Sequence, residues 1–152
     1  MATQRTQGPR YYTTTKSAAA FVGEIMQLLG EYGAESFHVQ QRQGVPVAIA
    51  FVIHGVAYQM RPQIEGVRAR LERMRGASKA TPEAVAWAQV RHLLELQLEA
   101  IENGVATPAQ VFGGLALTSG GRTVAEMIDE RAAELMPGES ALFLPAGGGD
   151  GE

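Results

Sequence analysis

The 152-residue sequence contains no cysteine, which excludes a disulfide framework, a thiolate nucleophile and a cysteine-bound zinc. Aspartate is scarce, with only Asp129 and Asp150, and histidine occurs three times, as His38, His54 and His92. No histidine has a second histidine or a carboxylate pair at metal-ligand spacing, so no metal site is expected. Nor do two carboxylates converge in a pattern suited to acid–base chemistry, so the expectation is a non-enzymatic protein with no catalytic residues and no cofactor. Long apolar runs are missing too. Val45 to Ile53 is the most apolar stretch, well short of the ~20 residues that span a bilayer. The start, MATQRTQGPRYYTTTKS, lacks the apolar segment of a secretory signal. These absences together predict a soluble, cytoplasmic chain without a membrane partner.

What is present is a composition of 45% hydrophobic and 19% charged residues, that of one globular domain able to bury a core. Charge is distributed unevenly. Residues 1–60 carry a net +1, residues 61–91 a net +4 and residues 92–152 a net −8. Such asymmetry bears on partners rather than on fold.

The pattern of apolar residues predicts an α+β fold. Residues 1–13 read as a flexible N-terminal arm, 14–136 as a single domain and 137–152 as a largely disordered tail. Phe21, Ile25, Leu28, Leu29 and Tyr32 recur at helical spacing between Ser17 and a capping Gly33. In PVAIAFVIHGVAYQMRP the period changes to two. A tight turn at His54-Gly55 would set Ile53 opposite Val56, Phe51 opposite Tyr58 and Ile49 opposite Met60, all on one face. The preceding segment ESFHVQQ matches this face only if Phe37 lies opposite Phe51 and Val39 opposite Ile49. A two-residue turn at Gln43-Gly44 would instead turn His38 and Gln40 inward, so an odd-length loop is expected there. The outcome is a three-stranded antiparallel meander preceded by one helix and followed by three to four helices. Those helices run from Pro62 to about Arg75, from Pro82 to about Asn103, over TPAQVF, and from Thr123 to about Met136. Phe51, Trp87 and Leu94 are the expected centre of the core.

The segment RPQIEGVRARLERMRGASK, residues 61–79, holds six basic side chains in nineteen positions. On a helix, Ile64, Val67, Leu71 and Met74 form one stripe, with Arg68 and Arg75 within reach of Glu65 and Glu72. Arg70 and Arg73 have no acidic neighbour at three or four residues, and Arg61 and Lys79 stand at the two ends. These four cations are the candidate nucleic-acid-binding residues, suited to phosphate backbone of DNA or RNA. Elsewhere, Glu95, Glu99 and Glu102 read as a solvated helix face. ALTSGGRT lacks the leading glycine and the lysine of a phosphate-cradling loop, and reads as a plain loop into a helix cap.

Through AWAQVRHLLELQLEAIENGVATPAQVF and GRTVAEMI, with the GEYGA turn and the GVPVAIAF strand, the sequence resembles a group of small uncharacterised proteins of bacteriophages, prophages and related mobile elements. The resemblance spans roughly residues 14–130 and rests on packing and capping residues. It implies a mobile-element accessory role near genes for DNA replication or recombination, and carries over no activity and no functional residues. The expected function is therefore a phage-type accessory protein that contacts nucleic-acid backbone through Arg61, Arg70, Arg73 and Lys79. The alternative is a protein-interaction module that binds a host or phage protein through the acidic C-terminal third or an apolar helix face. The oligomeric state stays open.

Overall fold

A computed structural model describes Tyr11, residues 14–74, residues 80–132 and Glu134. Arg75, Lys79, most of the expected arm and all of the expected tail lie outside the described residues.

Helix α1, Ala18–Tyr32, begins where Ser17 accepts a hydrogen bond from the Ala20 amide and ends on Gly33 at φ +114°, a conformation that glycine adopts without strain. Three antiparallel strands follow in the order β1 (Glu35–Arg42), β2 (Val45–Ile53) and β3 (Val56–Met60). Then come α2 (Glu65–Glu72), α3 (Pro82–Glu102), α4 (Pro108–Phe112), a single 3-10 turn and α5 (Val124–Glu130). This is the expected α+β layout.

The β2–β3 hairpin has the expected register, with Ile53, Phe51 and Ile49 opposite Val56, Tyr58 and Met60. His54 and Gly55 both take positive φ, +50° and +78°, as the type I′ hairpin turn requires. The β1–β2 connection corrects the expectation. Gln43 and Gly44, at φ +52° and +77°, make a two-residue turn with Arg42 opposite Val45. The odd residue sits in the strand instead of the loop. Gln41 faces Pro46 but Gln40 faces Ala48, so Val47 is an extra residue that shifts the ladder by one. Val39 thereby still meets Ile49. A second irregularity, between Glu35 and His38, places Ser36 and Phe37 together against Phe51. Ser36 takes φ +54° there, and Phe37 keeps its contact with the core.

Helices α1 and α3 run side by side in the same direction over the face of the sheet that carries Ile49, Phe51 and Ile53. Glu24 meets Arg91 near their middles, and Leu28 and Tyr32 share a groove with Leu98 and Ile101 towards their ends. Trp87, fully buried, packs in the core and donates its indole N–H to the Pro46 carbonyl at 3.0 Å, which locks α3 to the start of β2. Phe51 (1% exposed) and Leu94 are buried with it. Phe112 closes one end of this core, its ring 5.6 Å from Tyr32 and 5.8 Å from Tyr58. Beyond α4, Ala116 bridges to Tyr58 on the outer edge of β3 and the Leu117 amide donates to the Ala57 carbonyl, while Leu117 itself bridges to Thr123.

Two helices differ from expectation. The first begins at Glu65 rather than Pro62. The Arg61 guanidinium is held by Gln40 of β1 at 2.9 Å, and the chain stays outside the helix up to Ile64, which takes the N-cap position without a side-chain hydrogen bond. The last α-helix ends at Glu130 rather than Met136, closing on Arg131.

Candidate functional site

The sheet and α2 hold the candidate cations. Carrying the β2–β3 register one residue past Met60 sets Arg61 beside Ala48, whose other neighbour is Gln40. The Arg61–Gln40 bond thus crosses the outer face of the sheet over Ala48, which is 1% exposed despite facing away from the helices. On α2, Ile64, Val67, Leu71 and Met74 form the expected half-buried stripe. Arg68 approaches Glu65 at 3.5 Å, as the spacing implied, and also Glu83 of α3 at 3.3 Å. That second contact joins α2 to α3 and was not legible in the local spacing. Arg73 is exposed and turns its Nε back to the Ala69 carbonyl at 3.2 Å. Arg70 is exposed and also makes an interaction within the chain. Arg61 and Arg70–Arg73 therefore stand on two different elements, and Lys79 lies outside the described residues.

The acidic residues of α3 are exposed, as the spacing implied, and they also edge a groove. Glu95, Glu99 and Glu102 recur at four and three residues, so they share one side of the helix. Glu31 of α1 joins them across a groove of about 630 Å³, whose apolar surface comes from Leu28, Tyr32, Leu98 and Ile101. Opposite charges alternate at the upper end of this groove: Lys16 lies 2.9 Å from Glu24, Glu24 3.6 Å from Arg91, and Arg91 2.8 Å from Glu95. The alternation then stops. Among the described residues Glu31 accepts one side-chain hydrogen bond, from Gln27 at 3.3 Å. Glu99 and Glu102 have no partner among the described residues. His92, one turn earlier, packs edge-on to Tyr11 with 6.1 Å between ring centroids.

No set of three or more His, Asp or Glu side chains that could hold a metal ion occurs among the described residues. A smaller hollow of about 320 Å³ lies where the first turns of α1 and α3 meet. Most of its polar groups are already used: Ser17 and Thr81 cap the two helices, Thr14 accepts from the Lys16 amide, Lys16 binds Glu24 and Glu83 binds Arg68. The ALTSGGRT stretch forms a closed loop in which Thr118 donates from both its amide and its hydroxyl to the Arg122 carbonyl, and Thr123 with Glu126 makes the capping box of α5. Farther round α3, Leu93 and Leu96 are 55% and 52% exposed on the side away from Trp87.

No family model matches the chain, no curated protein matches it, and no solved structure matches it. No helix among the described residues is long and apolar enough to cross a membrane.

Proposed function

We propose that the protein is a non-enzymatic interaction module that takes a segment of a partner protein into the groove between α1 and α3. The observation that carries this reading is the pairing of an apolar floor with carboxylates, Glu99 and Glu102, that nothing in the described chain neutralises. An apolar groove edged by a few polar groups is the usual form of a peptide-recognition site. The resemblance to mobile-element proteins supports an accessory role in that setting, with a host or phage protein as the partner. The test is selection of peptides from a random library on the wild-type protein. Selected peptides should lose binding to Leu28→Asn and to Ile101→Asn, each first checked as folded by circular dichroism. Peptides indifferent to both substitutions would refute the groove as the recognition surface.

A second reading, contact with nucleic-acid backbone through Arg61, Arg70, Arg73 and Lys79, is favoured by the exposure of the first three. The Arg68–Glu83 contact also holds α2 in place beneath Arg70 and Arg73. Binding to random DNA should then weaken steeply with salt, and Arg70→Ala with Arg73→Ala should flatten the log–log slope by about 0.7–0.9 per lost contact. No measurable binding at low salt would eliminate this reading.

A further inference from the structure

Given that interaction reading, we infer that the occupant of the α1–α3 groove is a basic amphipathic helix, with apolar side chains on the groove floor and lysine or arginine opposite Glu31, Glu99 and Glu102. Three features of the groove fix this chemistry.

Charge comes first. Four glutamates edge the groove and a single arginine, Arg91, pairs with one of them. An occupant resting on Leu28, Leu98 and Ile101 brings its own low-dielectric surface against the remaining carboxylates. Burying an ionised group without a partner is costly, so a neutral or acidic segment is disfavoured where a cationic one is drawn in.

Pitch comes second. Glu95, Glu99 and Glu102 lie at i, i+4 and i+7 of a continuous helix, which spaces them by about 5 Å along the axis at a rise of ~1.5 Å per residue. Basic residues at three- and four-residue intervals on a partner helix repeat at that same pitch. Side chains on one face of an extended strand repeat at roughly 6.6–6.8 Å and fall out of step.

The third is the direction of the walls. Because α1 and α3 run alongside each other, the hollow is an open trough that a third helix can lie along, as in other helix-in-groove complexes. Glu95 to Glu102 covers about two turns, so the contacting part of the partner is short.

The probe is a synthetic amphipathic helix with leucines at three- and four-residue spacing flanked by lysines, compared with versions carrying glutamine or glutamate in place of every lysine. Fluorescence anisotropy should show binding of the lysine peptide, weaker binding of the glutamine peptide and none of the glutamate peptide. Added salt should weaken the lysine complex. Glu99→Gln with Glu102→Gln should loosen that complex about three- to tenfold, and thermal melting should stay at the wild-type value. Glu99→Lys with Glu102→Lys should transfer the preference to the glutamate peptide, an outcome that a merely structural role for these residues would not produce. If the glutamine peptide binds as well as the lysine peptide and still depends on Leu28 and Ile101, the basic occupant is refuted while the interaction module stands. If none of the three peptides binds and library selection yields no groove-dependent peptide, both fail together. Lysine-peptide binding that ignores both glutamate substitutions overturns the inference. So does binding that emerges only after residues 1–10 are removed, which would identify the chain's own Arg5 and Arg10 segment as the occupant.

Discussion

The two strongly charged regions, α2 and the last three turns of α3, treat their charges in opposite ways. On α2 the cations make contacts within the molecule, although Arg70 and Arg73 stay exposed. Arg68 reaches Glu65 and Glu83, Arg73 returns to the Ala69 carbonyl, and Arg61 just before the helix lies across the sheet to Gln40. At the end of α3, Glu95 is matched by Arg91 but Glu99 and Glu102 meet nothing in the described chain. The density of one sign along a sequence is thus a poor guide to which charges are available. Availability depends on what the fold brings within reach: two carboxylates for Arg68, neutral oxygens for Arg61 and Arg73, and among the described residues nothing for Glu99 and Glu102.

Both regions rest on one core, and the comparison has meaning only if that core, rather than the charges, supplies the stability. Phe51→Ala should therefore have the largest effect, a loss of about 3–5 kcal/mol by chemical denaturation, because the ring is enclosed by Tyr58 and Phe112 and is 1% exposed. A loss below about 1 kcal/mol would mean that the sheet packs by its other face. Next is Trp87→Phe, which leaves the Pro46 carbonyl without its buried donor and should lower stability by about 1–3 kcal/mol. Gly55→Val tests the hairpin. A Cβ there meets no atom within 4 Å, so the cost is the backbone one of holding a β-branched residue at positive φ, about 1–2 kcal/mol.

Charge substitutions should lie below all of these and separate the two regions. Arg68→Ala removes the Glu83 contact between α2 and α3 and should cost up to about 1 kcal/mol, since the guanidinium is partly exposed. Glu99→Gln with Glu102→Gln should change stability by no more than about 0.5 kcal/mol. A larger loss from the glutamates than from Arg68 would reverse the comparison. The smallest effect concerns acid. Glu130, hydrogen-bonded to Arg122 and favoured further by the charges of Arg122 and Arg131, has its carboxyl held below the ordinary glutamate range. Its contribution is complete above that ordinary range and fades as pH falls through the lowered folded value. Glu130→Gln should accordingly melt with slightly less sensitivity to acid than the wild type between neutral pH and about pH 3.

Most of the fold was legible because the signals are local and agree with one another. Ser17 and Gly33 bracket α1, Thr81-Pro82 opens α3, and the alternation around His54-Gly55 matches face to face at three successive pairs. The β1–β2 turn was misread for a physical reason. Face matching requires one odd residue between Val39 and Ile49, but nothing in the sequence says whether the loop or the strand carries it, and Val47 does. The start of α2 was misread because the Arg61–Gln40 bond joins residues twenty-one positions apart. The groove was half legible. The spacing of Glu95, Glu99 and Glu102 marks the exposed helix face that they form, whereas Glu31 and Leu28 come from a helix more than sixty residues earlier, and only the packing of α1 on α3 reveals the trough they share. Of the four cations singled out, Arg61, Arg70 and Arg73 are exposed as expected; the Arg73 contact to the Ala69 carbonyl lies one helical turn back, whereas the Arg61 contact to Gln40 runs over a distance that local spacing does not register.

The extra residue in β2 also determines where the chain can change length. In a regular strand, losing one residue exchanges inward and outward side chains from that point onward. At Val47 it would not. Removing it leaves Gln41 opposite Pro46 and Gln40 opposite Ala48 as consecutive pairs, so the ladder becomes regular while Val39, Ile49 and Phe51 keep their places. A one-residue deletion that would scramble the sheet elsewhere should here yield a shorter sequence with the same inside and outside, and this position is one at which related chains can differ in length without differing in fold.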